Sequence, residues 1–234
     1  MAGMEEGALD RIMNELRGRA DPASVEGMAR YGIRTDRAFG GSSLYFLRAM
    51  AKDIGTDHGL ALDLWSTEVH EARLLATLVE DPKVVTEEQM ESWVADFDSW
   101  DICDQCCSNV FSYAPRGWEK AMEWSSREEE FVKRAGFALI AALAVHDKKA
   151  RDERFEIFLS AIERESYDER NFVRKAVNWA LRNIGKRNVA LNAAAIACAE
   201  KIKAKGTKAG RWVASDALRE LRSEAVQGRL AKHK

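Results

Sequence analysis

Proline is nearly missing from this chain, with three in 234 residues, so little interrupts helix formation. Sustained alternation of apolar and polar residues is missing too, and this argues against a sheet with one solvated face. No apolar run approaches the roughly 18 residues a membrane span needs. The start, "MAGMEEGALDRIMNELRGR", mixes acids and bases where a signal peptide carries an apolar block, so a cytoplasmic protein with no membrane partner is expected. Cysteine is scarce: four occur, two of them adjacent (Cys106 and Cys107), which is no disulfide framework and makes reduced thiols the default. The pair in "CDQC", Cys103 and Cys106, has no second pair, and His58, His70, His146 and His233 are scattered without ligand spacing. A thioredoxin-like redox pair lacks its strand-to-helix setting. No metal and no cofactor are expected.

What the chain has is charge, distributed unevenly. The net charge is −2, yet residues 1–130 carry 13 bases against 26 acids, net −13, and residues 131–234 carry 23 bases against 12 acids, net +11. Such a split can hold one half to the other. A basic half rich in Arg and Trp also suits a polyanion such as nucleic acid. With 46% hydrophobic residues, a chain of this length buries a sizeable core.

Helical periodicity runs nearly throughout. "GLALDLWSTEVHEARLLATLV", "FVKRAGFALIAALAV", "ERFEIFLSAIERE", "NFVRKAVNWALRNIG" and "RWVASDALRELRSEAV" place apolar residues three and four apart, which predicts an all-α fold. Breaks at "EDPKVVTEE", "YAPRG" and "IGKRN" cut the chain into helices of roughly 8 to 18 residues, one starting near Thr86. "FVKRAGFALIAAL" from Phe131 and "FVRKAVNWALRNI" from Phe172 share an aromatic, Val, two bases and Ala, and "WVASDALREL" follows from Trp212. A spacing of about 40 residues predicts HEAT-like helix pairs stacked into a curved α-solenoid, with one long concave face. A single domain over 1–234 is expected, with an N-terminal helix within 1–20 and a basic, mobile tail over 227–234.

The stretch "DSWDICDQCC", Asp98–Cys107, holds the densest chemistry. If Asp98 or Ser99 caps a helix, Trp100, Cys103, Asp104, Cys107, Val110 and Phe111 share one face, and the cysteines read as small buried hydrophobes. Asp104 is the anomaly there, because a carboxylate on an apolar face needs a partner or a function. The residues alone favour a structural ion pair or a cap bond and leave a functional role open. Arg134 lies on the apolar side of its helix and is a candidate partner. Trp179 has Lys175, Arg182 and Asn183 as its helical neighbours, so its indole either packs under cationic stems or stacks on a ligand.

"SWDICDQCC", "EEFVKRAGFALIAALAVHDKKA", "ERNFVRKAVNWALRNIGKRN" and "RWVASDALREL" closely resemble the HEAT-like-repeat DNA alkylation repair family, which contains bacterial alkylpurine DNA glycosylases. The likeness runs from about Gly27 to Val226. It implies excision of cationic alkylated bases, such as 3-methyladenine and 7-methylguanine, from double-stranded DNA held on the concave surface. Carried over, the family pattern implies Trp100 as an aromatic cleft wall beside Asp101 and Asp104, with Asp104 as the key carboxylate. It implies Arg134 as a DNA-backbone residue, Lys175 and Trp179 as the opposite wall, and Tyr31 as a third aromatic contact. Ser99 departs from relatives that have an aromatic there, and the acidic N-terminal half is unusual for a DNA binder.

The implied mechanism is electrostatic: ionised Asp104 and the faces of Trp100 and Trp179 stabilise positive charge developing on the deoxyribose. Lys148, Lys149, Arg151, Arg182, Lys186 and Arg187 are candidates for phosphate contacts. Nothing in the sequence spells a pocket for a flipped base, and the likeness includes enzymes thought to act on the sugar without enclosing the base. A monomer is expected. Two alternatives remain: a family member that binds unusual DNA without catalysis, and a solenoid scaffold for other proteins.

Overall fold

The computed structural model describes residues 7–232, and every regular element among them is helical. In chain order these are α1 (Ala8–Gly18), α2 (Pro22–Ala29), α3 (Leu44–Ile54), α4 (His58–Ser66), α5 (His70–Val79), α6 (Glu87–Ala95), α7 (Trp100–Cys106), a π-helical turn (Cys107–Phe111), α8 (Gly117–Trp124), α9 (Glu130–His146), α10 (Asp152–Glu165), α11 (Asn171–Gly185), α12 (Val189–Ala204), α13 (Lys208–Leu221) and α14 (Glu224–Ala231). No described helix is long and apolar enough to cross a membrane.

Short polar residues set many of the starts. Asp21, Ser43, Asp57, Asn188, Thr207 and Ser223 each stand in extended conformation just before a helix and accept a bond from its first-turn N–H groups. Thr86 does the same for α6, accepting from Gln89 N–H at 3.2 Å. Each such cap contributes about 1 kcal/mol by satisfying donors that the helix itself leaves open.

The chain forms two compact units, residues 1–90 with 96–115 and residues 91–95 with 116–234. Charge divides along the same line: the first unit carries 10 bases and 20 acids, net −10, and the second 26 bases and 18 acids, net +8.

In the second unit the three similar segments become successive neighbours. α9 packs on α11 and α11 on α13, with α10 on α12 alongside, so equivalent helices of consecutive repeats lie against each other. The ring of Phe131 stacks on that of Phe172 at 5.5 Å, and the Arg174 guanidinium lies over Trp212 at 4.7 Å. All residues of α9 from Val132 to Ala144 are buried. Trp118 meets Phe155 and Phe158 at ring distances of 5.1 and 5.4 Å. A fully buried aromatic such as Phe155 contributes about 1.5–3 kcal/mol by its removal from water. In the first unit α5 is the central helix, flanked by α3, α4 and α7.

The C-terminal end differs from expectation. Residues 227–231 are not a free tail but the second half of α14, because Ser223 caps the helix and Val226 and Leu230 give it a buried edge. Residues 1–6 of the expected N-terminal helix, and His233 and Lys234, lie outside the described residues; α1 occupies Ala8–Gly18.

Gly136 shows how tightly α9 is packed. A methyl group there would stand 2.7 Å from Ser125 Cα and 2.8 Å from Trp124 C, at the end of α8, and backbone of this kind has no room to yield. Gly136→Ala is expected to destabilise the chain by about 3 kcal/mol, read as a lower urea midpoint with the helical content at low urea unchanged.

Candidate functional site

The candidate residues of the first unit gather on α7. Ser99 takes extended conformation just before it, so Trp100 is the first helical residue and Asp104 lies one turn on. Both are half-buried, while Cys103, Cys107, Val110 and Phe111 of the same face are fully buried. The face drawn from periodicity is therefore sealed at its C-terminal end and open at Trp100 and Asp104. The Trp100 indole N–H donates to the Tyr31 backbone carbonyl at 2.9 Å, which fixes the indole, while the Tyr31 side chain is largely in solvent. The π-helical turn follows Asp104 after two residues.

The cysteines take the inert role. All four are free and buried, and burial pushes the Cys106 and Cys107 thiols well above their ordinary range and that of Cys198 up to about 12. Thiols held in this way carry little thiolate. Among the described residues no group of three or more His, Cys, Asp or Glu is placed to share a metal ion.

In the second unit Arg134 is buried, 5% exposed, and donates to the Phe172 carbonyl at 2.6 Å. Its neighbour Lys133 is equally buried and pairs with Glu165 at 2.9 Å, with Asp168 3.9 Å away. Trp179 is half-buried on α11 and Lys175, one turn before it, is exposed. Arg182 is paired with Glu220, and Lys186 reaches the same carboxylate at 2.7 Å. The Arg187 guanidinium donates to the carbonyls of Ala144 (2.7 Å) and Ala150 (3.3 Å) and lies over the Phe155 ring at 4.1 Å. Arg151 is exposed and pairs with Glu153 at 3.1 Å. Lys148 and Lys149 are exposed between α9 and α10. The candidate cations thus fall into two sets: Lys148, Lys149, Arg151 and Lys175 at the surface, and Arg134, Arg182, Lys186 and Arg187 tied into the packing.

Sequence reasoning passed over His70. It opens α5, is 3% exposed, and its imidazole N–H donates from Nε2 to Asp101 Oδ2 at 2.9 Å. Burial disfavours the imidazolium, but the hydrogen bond and charge of Asp101, with Glu71 and Asp98 nearby, outweigh it and raise the His70 pKa above its ordinary 6.5. Burial likewise opposes ionisation of Asp101, and His70 more than offsets it, holding that carboxyl below its ordinary 3.8. The available signal was spacing: His70 and Asp101 are 31 residues apart, as are Trp65 and Asp96, whose side chains bond at 2.8 Å, so this half has its own repeat length.

The pair makes stability depend on pH. The His70 contribution is complete below pH 6.5, the ordinary value, and is lost as pH rises through the higher folded value; that of Asp101 is complete above pH 3.8 and is lost as acid protonates it. The urea midpoint is therefore expected to fall as pH rises above 6.5, and to fall less in Asp101→Asn, where His70 has lost its main partner.

Comparison with known proteins bears on the fold and the family. A solved structure superposes with a TM-score of 0.76 over 95% of each chain, at 18% identity; that protein belongs to a family described as related to the HEAT-like repeat DNA glycosylases, with affinity for branched DNA structures. At that identity the likeness shows the fold, which is the HEAT-like repeat fold. No curated protein matches the chain. The sequence profile of the family described as DNA alkylation repair enzyme matches residues 12–221. Spanning most of both units, that match establishes that this chain belongs to the DNA alkylation repair enzyme family.

Proposed function

We propose that this chain is a DNA glycosylase that hydrolyses the N-glycosidic bond of cationic alkylated purines, of the 3-methyladenine and 7-methylguanine kind, in double-stranded DNA. The observation that carries the reading is the open end of α7, where a carboxylate and an indole one turn apart are half-exposed on an otherwise sealed face. Family membership and the net charge of +8 on the second unit support it.

An alkylated purine already bears positive charge, so it leaves without a strong general acid. The C1′–N bond breaks with its electron pair passing to the purine, which departs neutral, and the deoxyribose becomes oxocarbenium-like. In this reading Asp104 supplies a preorganised negative charge to that sugar and orients the incoming water, whose oxygen bonds to C1′ as its proton is released. Trp100 and Trp179 add cation–π attraction of about 0.5–2 kcal/mol each. Tyr31, whose backbone carbonyl holds the Trp100 indole, offers its exposed ring as a further aromatic contact. Lys175 holds the DNA backbone, Lys148, Lys149 and Arg151 add sequence-independent phosphate contacts, and Arg134, buried against the Phe172 carbonyl, acts on the backbone through its positive field alone. Arg182, Lys186 and Arg187 contribute to the same positive field while anchoring their helices. The reaction uses no cofactor, the chain acts as a monomer, and it works in the cytoplasm.

Single-turnover release of 7-methylguanine from methylated duplex DNA tests this. Asp104→Asn is expected to lower the release rate by about 10²–10³-fold while DNA affinity stays within about threefold. Wild-type release by that variant would remove the role given to Asp104. Lys175→Ala is expected to reduce the slope of log affinity against log salt by about 1, the signature of one lost phosphate contact. A second reading, a non-catalytic binder of branched DNA, is favoured by the description of the structural neighbour. Tight binding of a four-way junction with no base release from any alkylated duplex would establish it in place of the first.

A further inference from the structure

The first turn of α7 borders a cavity. About 470 Å³ in volume, it lies between α2, the loop before α3, α5 and α7, and is lined from α5 by His70, Glu71 and Leu74 and from α7 by Trp100, Asp101 and Gln105. Interdigitated side chains resist the sliding of one helix over another, and across a cavity that resistance is missing. What spans the gap is polar: the His70 imidazole donates from Nε2 to Asp101 Oδ2 at 2.9 Å. Farther along the segment, Asn109 donates to the Thr77 hydroxyl at 3.2 Å. The stretch that holds Trp100 and Asp104 is thus tied to α5 twice, by His70 at its start and by Thr77 near its end.

The α5 end of the first tie is fixed. His70 N–H donates to the Arg37 carbonyl at 2.8 Å, and the neighbouring Glu71, itself buried, accepts from Phe39 N–H at 3.1 Å and Gly40 N–H at 2.7 Å. Gly40 and Gly41 take φ of +73° and +72°, and a side chain at either would run into the backbone of Asp21 or Arg19. The His70 ring is 3% exposed and has little room to turn. The α7 end of the tie adjoins the candidate functional residues, since Asp101 follows Trp100 directly and Asp104 comes one turn later. With the segment pivoting at Asn109, a shift of about 1 Å at Trp100 carries Asp104 by about half as much. Misplacement on the scale of about 1 Å can cost about 100-fold in rate.

We infer that His70 is a positioning residue for base release: through Asp101 it braces the first turn of α7 across the cavity and keeps the Trp100 indole and the Asp104 carboxylate at the open face. The inference rests on the reading of α7 as the segment that carries the chemistry. It goes beyond that reading because it gives a part in the reaction to a buried residue that touches neither the DNA nor the departing base. The brace also has a consequence that needs no catalysis, since it fixes the Trp100 indole against the Tyr31 carbonyl. The brace and the reaction can therefore fail separately.

Single-turnover release of 7-methylguanine, measured beside urea midpoints, separates positioning from stability. His70→Leu combined with Asp101→Leu replaces the pair by apolar side chains, so no buried charge is left without a partner and stability stays close to that of the wild type. Its release rate at saturating protein is expected to fall about 10- to 100-fold, while the protein concentration that gives half the maximal rate stays within about threefold. Asp101→Ser, too short to reach His70, gives the same comparison without added apolar volume. His70→Gln, whose amide N–H can donate from nearly the place of the imidazole Nε2, is expected to keep release within about threefold of the wild type. The chain has seven tryptophans, and the indole N–H signal of Trp100 in NMR spectra is assigned with Trp100→Phe. That signal is expected to be single and sharp in the wild type and in His70→Gln, and shifted and broadened in the double-leucine variant and in Asp101→Ser. An unmoved Trp100 signal in both of these overturns the inference, and so does a wild-type release rate in either. Absence of base release by the wild-type chain from any alkylated duplex would remove the glycosylase reading, and a Trp100 signal displaced in these variants but kept in His70→Gln would still support the brace.

Discussion

Side chains that reach from one helix to its counterpart in the next repeat hold both units in register. Asn183 donates to the Ala141 carbonyl, Asn178 to that of Val213, Arg134 to that of Phe172 and Arg187 to that of Ala144, each pair being 35 to 43 residues apart. In the first unit Trp65 reaches Asp96, His70 reaches Asp101 and Glu71 reaches Gly40, each 31 residues apart. Apolar packing alone lets one helix slide along another by a turn at modest cost. A directional bond to a buried partner does not, since a slip leaves a polar group unsatisfied at about 1–3 kcal/mol. The positions of Trp100, Trp179 and the cations along their helices follow from this fixed register.

The same bonds explain why so much charge lies in the interior. Arg134, Lys133, Arg73 and Lys120 are nearly fully buried, a state that charged groups tolerate only when paired. Lys133 has Glu165, Lys120 has Glu91 at 2.8 Å and Glu123 at 2.8 Å, and Arg73 donates to the Asp96 carbonyl at 3.2 Å. The basic count of the second unit therefore overstates the cations free to meet a phosphate. Several of them serve the fold first and the surface field second.

Helix α7 faces two different surroundings. Trp100 and Asp104 stand at its half-open end, while Asp101, one residue after Trp100, turns toward His70 and the cavity of the first unit. Trp100 belongs to both surroundings, and its anchoring on the Tyr31 carbonyl limits how far its ring can swing. An extended residue at Ser99 before the helix and a π-helical turn shortly after Asp104 mark the segment as irregular, as helices at functional sites often are.

Spacing along the chain was enough to determine the all-helical class, the 40-residue repeat of the second half, the Thr86 start and the burial of the cysteines, because each depends on contacts within a few turns or on composition. It also marked Asp104 and Arg134 as polar groups on apolar faces. Other features were decided only by tertiary structure. The helical end past residue 227 exists because Val226 and Leu230 find a core to bury against. Arg182, Lys186 and Arg187 look like free surface cations in the sequence, and only folding brings Glu220 and the Ala144 and Ala150 carbonyls to them. His70 looked isolated for the same reason. Its partner lies 31 residues away, and a hydrogen bond across that distance is set by how two helices pack, which local periodicity does not encode.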